Sequence, residues 1–166
     1  MRSATARSRT FVWPNPVRFR AAHRIAAAYR AAQMNHKRNC VLLADRHHGL
    51  RDSVRGLLET EFDTVFMVAT EASLLDGADR LNPAVVVVDL SMSAGDLGGL
   101  LGRVRDRAPR AKVLLLSVHD ERTVAESAVA AGADAVVLKR CLATDLMPAV
   151  DAVIAGQRYL SPGIAK

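Results

Sequence analysis

From residue 40 to residue 157, the chain alternates short, uniformly apolar segments with longer segments whose apolar residues recur at helical spacing. The first kind predicts buried β-strands at residues 40–44, 64–70, 84–90, 111–118 and 134–139. The second kind predicts α-helices at residues 49–62, 71–81, 96–108, 121–132 and 143–157. Strands that are apolar at every position are covered on both faces, which is typical of a parallel sheet between two helical layers.

Strands that alternate with helices have few acceptable arrangements, because crossovers between parallel strands are right-handed. We therefore predict an α/β fold with a five-stranded doubly wound parallel sheet of strand order 2-1-3-4-5. In such a sheet a functional site lies beyond the carboxyl ends of the strands, at the point where the strand order reverses.

Four predicted strands end in a polar residue. The first ends in Asp45, the third in Asp89, the fourth in Ser117 and the fifth in Lys139. Because the carboxyl ends of parallel strands lie at one edge, we expect these side chains to converge there. An unpaired carboxylate behind four valines would be costly to bury. We therefore expect Asp89 to meet Lys139 across the switch point, with Ser117 between them.

This combination of side chains predicts phosphoryl transfer to a carboxylate. A nucleophilic aspartate such as Asp89 can form an acyl phosphate. The phosphoryl oxygens then need a cation, a fixed ammonium and hydrogen-bond donors, which Lys139 and Ser117 can partly supply. Asp45 can hold Mg²⁺, which prefers oxygen ligands and needs only one or two carboxylates. The added charge would then reorganise the loop after the fourth strand.

Residues 40–161 resemble the receiver domain of bacterial response regulators, in particular the NarL/FixJ type. The resemblance is carried, in order and spacing, by the segments VLLADRHHGLRDSVRGLLE, PAVVVVDLSM, VLLLSVHDE, AGADAVVLK and AVIAGQRYLSP. It implies a flavodoxin-like fold and a role in two-component phosphorelay signalling, with Asp89 phosphorylated by a histidine kinase or another phosphodonor. It also implies Mg²⁺ held by Asp45, Asp89 and the backbone carbonyl of Ser91. Ser117 and Lys139 match the family's switch hydroxyl and its lysine.

The resemblance carries further expectations about partners and location. Receivers of this kind often pair, so the resemblance implies a homodimer. We expect a cytoplasmic signalling protein that is not an enzyme and, because no apolar run is long enough to cross a bilayer, that has no membrane contact. NarL/FixJ regulators continue with a helix-turn-helix domain, and nothing in these 166 residues could form one. We therefore expect a stand-alone or truncated receiver that does not bind DNA directly, with RYLSP at the start of a linker.

Two positions depart from the family pattern. The second of two adjacent acids after the first strand is Arg46, and the switch aromatic three residues before the lysine is Val136. A guanidinium would repel Mg²⁺, so we predict weak or absent Mg²⁺ binding. Arg46 could pair permanently with Asp89, or it could hold a phosphate without a metal. The alternative function is therefore a degenerate, non-phosphorylated receiver that acts as a protein-interaction module.

A third hypothesis is a small flavodoxin-like enzyme or nucleotide-binding protein. It is disfavoured because ADRHHGL, the segment after the first strand, contains a single glycine and no phosphate-binding loop. The neighbouring His47 and His48 could be a base or metal ligands. Without a third ligand in the pattern, we interpret them as solvated residues at a helix start, and we interpret His119 in the same way.

The chain divides into three parts by composition. Residues 1–38 contain nine basic residues and no acidic residue, so the basic charge belongs to an N-terminal extension that is partly helical or disordered. A membrane-surface helix, a nucleic-acid arm and a transit peptide are alternatives for it, beside a start codon placed too early. Residues 39–158 are the predicted receiver domain and residues 159–166 a short tail. Cys40 and Cys141 lack metal or redox spacing, which favours a reducing compartment.

Overall fold

The computed structural model describes residues 38–164, which form a parallel β-sheet with helices on both faces. The strands are β1 (Arg38–Ala44), β2 (Phe62–Val68), β3 (Val85–Asp89), β4 (Lys112–Ser117), β5 (Ala135–Leu138) and β6 (Tyr159–Leu160). The α-helices are α1 (His48–Leu58), α2 (Glu71–Leu81), α3 (Leu97–Arg107), α4 (Arg122–Ala130) and α5 (Leu142–Ile154). Two short 3₁₀ turns follow β3 and β5, at Leu90–Ser93 and Lys139–Cys141.

The strand order is β2-β1-β3-β4-β5-β6, and every neighbouring pair is parallel. The predicted α/β class and the order of the first five strands are therefore confirmed. The sheet contains one strand more than predicted, because Tyr159 and Leu160 pair with Ala135 and Val136 of β5. The sequence places these two residues in the tail, since a two-residue strand is too short to show any periodicity.

The sheet separates two apolar cores, as its uniformly apolar strands predict. One core joins the sheet to α1 and α5, and its large members include Leu43, Leu114 and Leu146. The other joins the opposite face to α2, α3 and α4, through residues such as Leu42 and Leu100. Alternate residues of each strand enter opposite cores, which explains why β3 is a continuous run of valines.

The first predicted helix is four residues too long. Helix α1 ends at Leu58, and β2 begins at Phe62 rather than at residue 64. Phe62 is buried and is aligned with Arg38 of β1, so this aromatic side chain is a sheet residue. The intervening turn closes with a hydrogen bond of 3.0 Å from the Glu61 amide to the Leu58 carbonyl.

Strand β1 begins two residues before its predicted start. The Arg38 amide donates to the Glu61 carbonyl at 2.9 Å, and its guanidinium lies 2.7 Å from the Asp151 carboxylate of α5. The guanidinium also lies over the Phe62 ring, 5.8 Å from its centre. These contacts draw the last residue of the predicted extension into the sheet. The prediction for residues 1–37 lies outside the described residues. No helix within residues 38–164 is long and apolar enough to span a bilayer.

Candidate functional site

The carboxyl ends of β1, β3 and β5 bring three charged side chains together. Asp45 directly follows β1, Asp89 is the last residue of β3, and Lys139 directly follows β5. Ala44 of β1 is aligned with Val88 of β3, so the two carboxylates lie side by side at the switch point. Only 1% of Asp45 and 2% of Asp89 are exposed. Two neighbouring buried carboxylates need a positively charged partner, because burial removes their hydration and their negative charges repel each other.

Lys139 supplies that cation. Its Nζ atom lies 2.7 Å from Asp89 Oδ2 and 3.6 Å from Asp45 Oδ2. The sheet order explains this contact, because β4 alone separates β3 from β5. A short charge-assisted hydrogen bond of this kind is roughly twice as strong as one between neutral groups.

The turn after β3 supplies two further donors to Asp89. The Ser91 amide donates to Oδ1 at 3.2 Å, and the Ser91 hydroxyl donates to Oδ2 at 2.8 Å. Burial alone would raise the pKa of Asp89. The hydrogen bonds from Lys139 and Ser91, with the charge of Lys139, outweigh burial and lower this pKa below its ordinary value. Asp89 is therefore an ionised acceptor at neutral pH. The predicted role of the Ser91 carbonyl as a metal ligand stays a prediction.

His47 is a member of the site that the sequence interpretation missed. Its Nδ1 atom lies 3.2 Å from Asp45 Oδ1 and 3.3 Å from Asp89 Oδ2. Its backbone amide also donates to Asp45 Oδ1, at 2.8 Å, and this local bond turns the imidazole back over the strand ends. The signal available in the sequence was its place two residues after an aspartate at a strand end. The imidazole is 65% exposed on its other side.

Arg46 does not form the permanent ion pair with Asp89 that the sequence analysis considered. Its side chain is exposed, and none of the ion pairs within residues 38–164 involves it. Lys139 and His47 contact Asp89 instead. The physical reason is the direction of the chain: Asp45 and His47 face the strand ends, and the intervening residue points away from them.

Ser117 lies at the end of β4 as predicted, but its hydroxyl is not between Asp89 and Lys139. Among the described residues, both of its hydrogen bonds go to the His119 backbone, from the amide at 2.9 Å and to the carbonyl at 3.0 Å. The loop after β4 folds back on the strand end and takes up this hydroxyl. The His119 side chain is largely exposed, 3.7 Å from the Glu121 carboxylate.

Val136 is a core residue of β5. It is aligned with Leu115 on β4 and with Leu160 on β6, and it is 1% exposed. At this position the site therefore has an aliphatic side chain locked in the sheet, where the resemblance implies an aromatic one that rotates.

An open cavity of about 560 Å³ lies over the strand ends. Its lining combines charged and small side chains and comes from four connections of the sheet: His47, Asp89, Leu90, Ser91, Ser93, Ala94, Gly95, Val118, His119 and Lys139. The backbone at Ala94 and Gly95 has positive φ, which turns the chain sharply where these two residues line the cavity. The cavity is large enough for a phosphoryl group and its water.

A doubly wound parallel sheet with two buried acids and a lysine at its carboxyl edge is typical of the receiver domains of two-component signalling. Residues 41–151 match the family of response regulator receiver domains. The match covers more than half of the 166 residues, and the chain belongs to this family. It therefore contains the receiver domain of a two-component response regulator.

Individual relatives agree with this assignment. The transcriptional regulatory protein MctR of Rhizobium johnstonii is 32% identical over 129 residues, which cover 75% of this chain and 59% of MctR. UhpA of Escherichia coli is 33% identical over 128 residues, covering 75% of this chain and 63% of UhpA. This chain thus aligns with about three fifths of the length of these curated relatives.

Solved structures show the same architecture. A two-component response regulator of the LuxR family from an Aurantimonas species superposes with a TM-score of 0.70 at 26% identity, covering 78% of this chain and 93% of that one. A LuxR family DNA-binding response regulator from Silicibacter pomeroyi gives a TM-score of 0.62 at 26% identity, over 75% of this chain and 97% of that one.

The receiver family implies a Mg²⁺ ion at the acidic edge of the sheet. Asp45 Oδ2 is buried and has no hydrogen-bond partner within the described part of the chain, which is the environment of a cation ligand. Asp45 and Asp89 supply oxygen ligands of the type that Mg²⁺ prefers. Among the histidine, cysteine and carboxylate side chains of the described residues, the third possible ligand is the Nδ1 atom of His47. These side chains therefore fit a divalent cation.

Proposed function

We propose that Asp89 accepts a phosphoryl group from a histidine kinase or another phosphodonor. The observation that supports this proposal is the 2.7 Å contact between Lys139 Nζ and the buried Asp89 carboxylate, at the floor of an open cavity. In the transfer, an Asp89 oxygen forms a bond to phosphorus while the bond between phosphorus and the donor histidine nitrogen breaks. The electron pair of that bond stays on the histidine.

The surrounding groups suit this transfer. Asp89 is ionised because its pKa is lowered, so it attacks without first losing a proton. Lys139 can follow the negative charge from the carboxylate to the phosphoryl oxygens, and the Ser91 hydroxyl can donate to them. A bound divalent cation would neutralise further phosphoryl charge. The new charge would then compete for the donors of the loop after β4, where Ser117 holds the His119 amide.

Arg46 is expected to slow this reaction in Mg²⁺. It places a positive charge next to Asp45, at the position where the family has a second acid, and it offers no ligand to a metal. We expect wild-type protein incubated with acetyl phosphate and Mg²⁺ to gain one phosphoryl group slowly, as measured by intact mass. Arg46→Asp should react about tenfold faster, equivalent to about 1.4 kcal/mol in the activation free energy.

Two control variants make this experiment specific. Asp89→Asn should gain nothing under any condition. Arg110→Asp reverses an exposed charge just before β4, at the opposite edge of the sheet, and should react like the wild type. Equal acceleration by Arg46→Asp and Arg110→Asp would contradict a local effect of Arg46, and phosphoryl gain in Asp89→Asn would contradict the proposed acceptor.

The second candidate function is a receiver that is not phosphorylated and acts as a protein-interaction module. The observation that favours it is Arg46, which removes an acid from the site while the fold and the Lys139–Asp89 ion pair are kept. This function predicts that the wild type gains no phosphoryl group from acetyl phosphate with Mg²⁺, although it unfolds cooperatively. A robust, Mg²⁺-dependent gain of one phosphoryl group by the wild type that is absent in Asp89→Asn would exclude it.

A further inference from the structure

Two carboxylate oxygens and one imidazole nitrogen converge at the strand ends. Asp45, His47 and Asp89 each present one ligand atom, and these three atoms all lie within 4.8 Å of one another. The imidazole Nδ1 atom is 3.2 Å from Asp45 Oδ1 and 3.3 Å from Asp89 Oδ2. Ligands about 2.1 Å from one ion are separated by about 3.0 to 3.5 Å at octahedral or tetrahedral angles, so the two measured edges match a coordination shell.

An independent observation at the same place indicates a binding position for a cation. Asp45 is 1% exposed, yet its Oδ2 atom has no hydrogen-bond partner among residues 38–164. Its only cationic neighbour there is Lys139 Nζ, at 3.6 Å, beyond hydrogen-bonding distance. A buried carboxylate oxygen without a donor is costly, and an ion that Asp45 holds through both of its oxygens would satisfy Oδ2 as well as Oδ1.

We propose that Asp45, His47 and Asp89 form a divalent metal site that selects an ion of the Co²⁺ and Zn²⁺ class over Mg²⁺. Imidazole nitrogen is a good ligand for these borderline ions, whereas Mg²⁺ requires oxygen atoms in an almost regular octahedron. Arg46 contributes to the same selection, because it replaces the acid that would complete an all-oxygen site.

The surroundings of the three ligands are compatible with this assignment. The exposed side of the His47 ring can carry the proton on Nε2, which leaves the Nδ1 lone pair free for the ion. Asp89 Oδ2 now accepts from Lys139 Nζ at 2.7 Å and from the Ser91 hydroxyl at 2.8 Å, so one of these two donors moves away when the ion binds this oxygen. The open cavity above the site admits the water molecules that complete the coordination.

This inference goes beyond the proposed function, because metal selection does not require that Asp89 accept a phosphoryl group. Its test contains no phosphodonor, so its failure and the failure of phosphorylation are separate results. The competing explanation is that His47 is only a hydrogen-bond donor to the two carboxylates. His47→Gln distinguishes the two roles, because its amide can donate to both acids but is a poor ligand for Co²⁺.

The experiment measures dissociation constants of the full chain for Co²⁺ and Mg²⁺ by titration calorimetry. Tighter binding of Co²⁺ alone decides nothing, since Co²⁺ exceeds Mg²⁺ at most protein sites. The decisive quantity is the ratio of the two constants. We expect His47→Gln and His47→Ala to weaken Co²⁺ binding by about 10- to 100-fold, the loss typical of mutating a residue that supports a metal ligand. The same variants should change Mg²⁺ binding by less than about threefold.

His119→Ala is the matched control, because it removes an exposed imidazole that lies over the same cavity outside the ligand cluster. It should leave both constants unchanged. Thermal unfolding in a chelator checks that each variant is folded before titration. Unchanged Co²⁺ binding in both His47 variants would overturn the proposal, because the ion would then be held elsewhere in the chain. Equal weakening of Co²⁺ and Mg²⁺ binding would also overturn it, since His47 would then not be the source of selectivity.

Discussion

At the scale of single residues, the site is an electrostatic balance between two buried acids and one ammonium. Asp45 and Asp89 are adjacent across β1 and β3, and Lys139 lies within ion-pair distance of both. The ion pair itself can contribute little net stability, because burying the charges is costly. Removal of one partner is different, since it leaves the others buried without compensation.

Lys139→Met should therefore destabilise the domain, by about 2 to 3 kcal/mol in the free energy of unfolding, when measured by urea denaturation in a chelator at pH 7. In the Asp89→Asn background, the same substitution should cost less than about 1 kcal/mol, since one of the two acids is then neutral. Equal costs in the two backgrounds would show that Lys139 acts through packing of its methylene groups, and would contradict the electrostatic account.

The two cysteines should react with thiol reagents at very different rates. Cys40 is buried in β1, donates to the Leu81 carbonyl at 3.6 Å, and has a pKa raised by burial. Cys141 is partly exposed. Because only the thiolate reacts, we expect the labelling rate of Cys141 at pH 8 to exceed that of Cys40 by at least about tenfold, as resolved by peptide mass spectrometry. Faster labelling of Cys40 would mean that β1 opens readily.

Sequence reasoning found the residues whose position depends only on the strand ends, and missed those that depend on a loop. Asp45, Asp89 and Lys139 converge because parallel strands share an edge, and the sequence shows where each strand ends. Local turns place the other side chains. An amide-to-carboxylate bond folds His47 over the acids, and the loop after β4 takes up the Ser117 hydroxyl. No periodicity in the sequence encodes either turn.

At the scale of elements, a buried polar chain fixes β6 to the rest of the sheet. The Ser161 hydroxyl donates to Asp145 Oδ2 of α5 at 2.6 Å and accepts from the Leu138 amide at 3.0 Å. The Ser161 amide also donates to the Val136 carbonyl, at 3.0 Å. Ser161 and Asp145 are both buried, so neither can exchange these bonds for water without local opening.

Ser161→Ala should cost about 1 to 2 kcal/mol in the free energy of unfolding, because it removes the Ser161 hydroxyl from Asp145 Oδ2 and from the Leu138 amide. Ser127→Ala is a matched control on α4, where the exposed hydroxyl donates only to the Thr123 carbonyl, and it should change stability by less than about 0.5 kcal/mol. Denaturant unfolding of both variants gives the comparison. Equal losses in the free energy of unfolding would show that the buried Ser161 hydroxyl stabilises the domain no more than an exposed hydroxyl does.

The hydrogen bonds of Ser161 also explain why β6 could not be predicted. The first five strands are visible as apolar runs, and the boundaries of α2 are those predicted, at Glu71 and Leu81. Strand β6 has two residues, one of them exposed Leu160, and it depends on contacts that Ser161 makes with distant parts of the chain. Its formation is a tertiary effect, which overrides the weak local preference of the segment.

At the scale of the whole molecule, the doubly wound sheet joins acids from one half of the domain to a lysine from the other. Alternating periodicity and right-handed crossovers leave few topologies, of which strand order 2-1-3-4-5 is a common one. The additional β6 extends the sheet beyond β5, on the side away from the switch point. We propose that this edge of the sheet carries a phosphoryl group on Asp89.

The most direct test of that claim is to locate the phosphoryl group chemically. Borohydride reduces an acyl phosphate, but not a free carboxylate, to an alcohol, and so converts a phosphorylated aspartate to homoserine. After incubation with acetyl phosphate and reduction, tandem mass spectrometry of the wild type and Arg46→Asp should find homoserine at position 89, in larger amount in Arg46→Asp. Homoserine at position 45 instead, or at neither position in both proteins, would contradict the account.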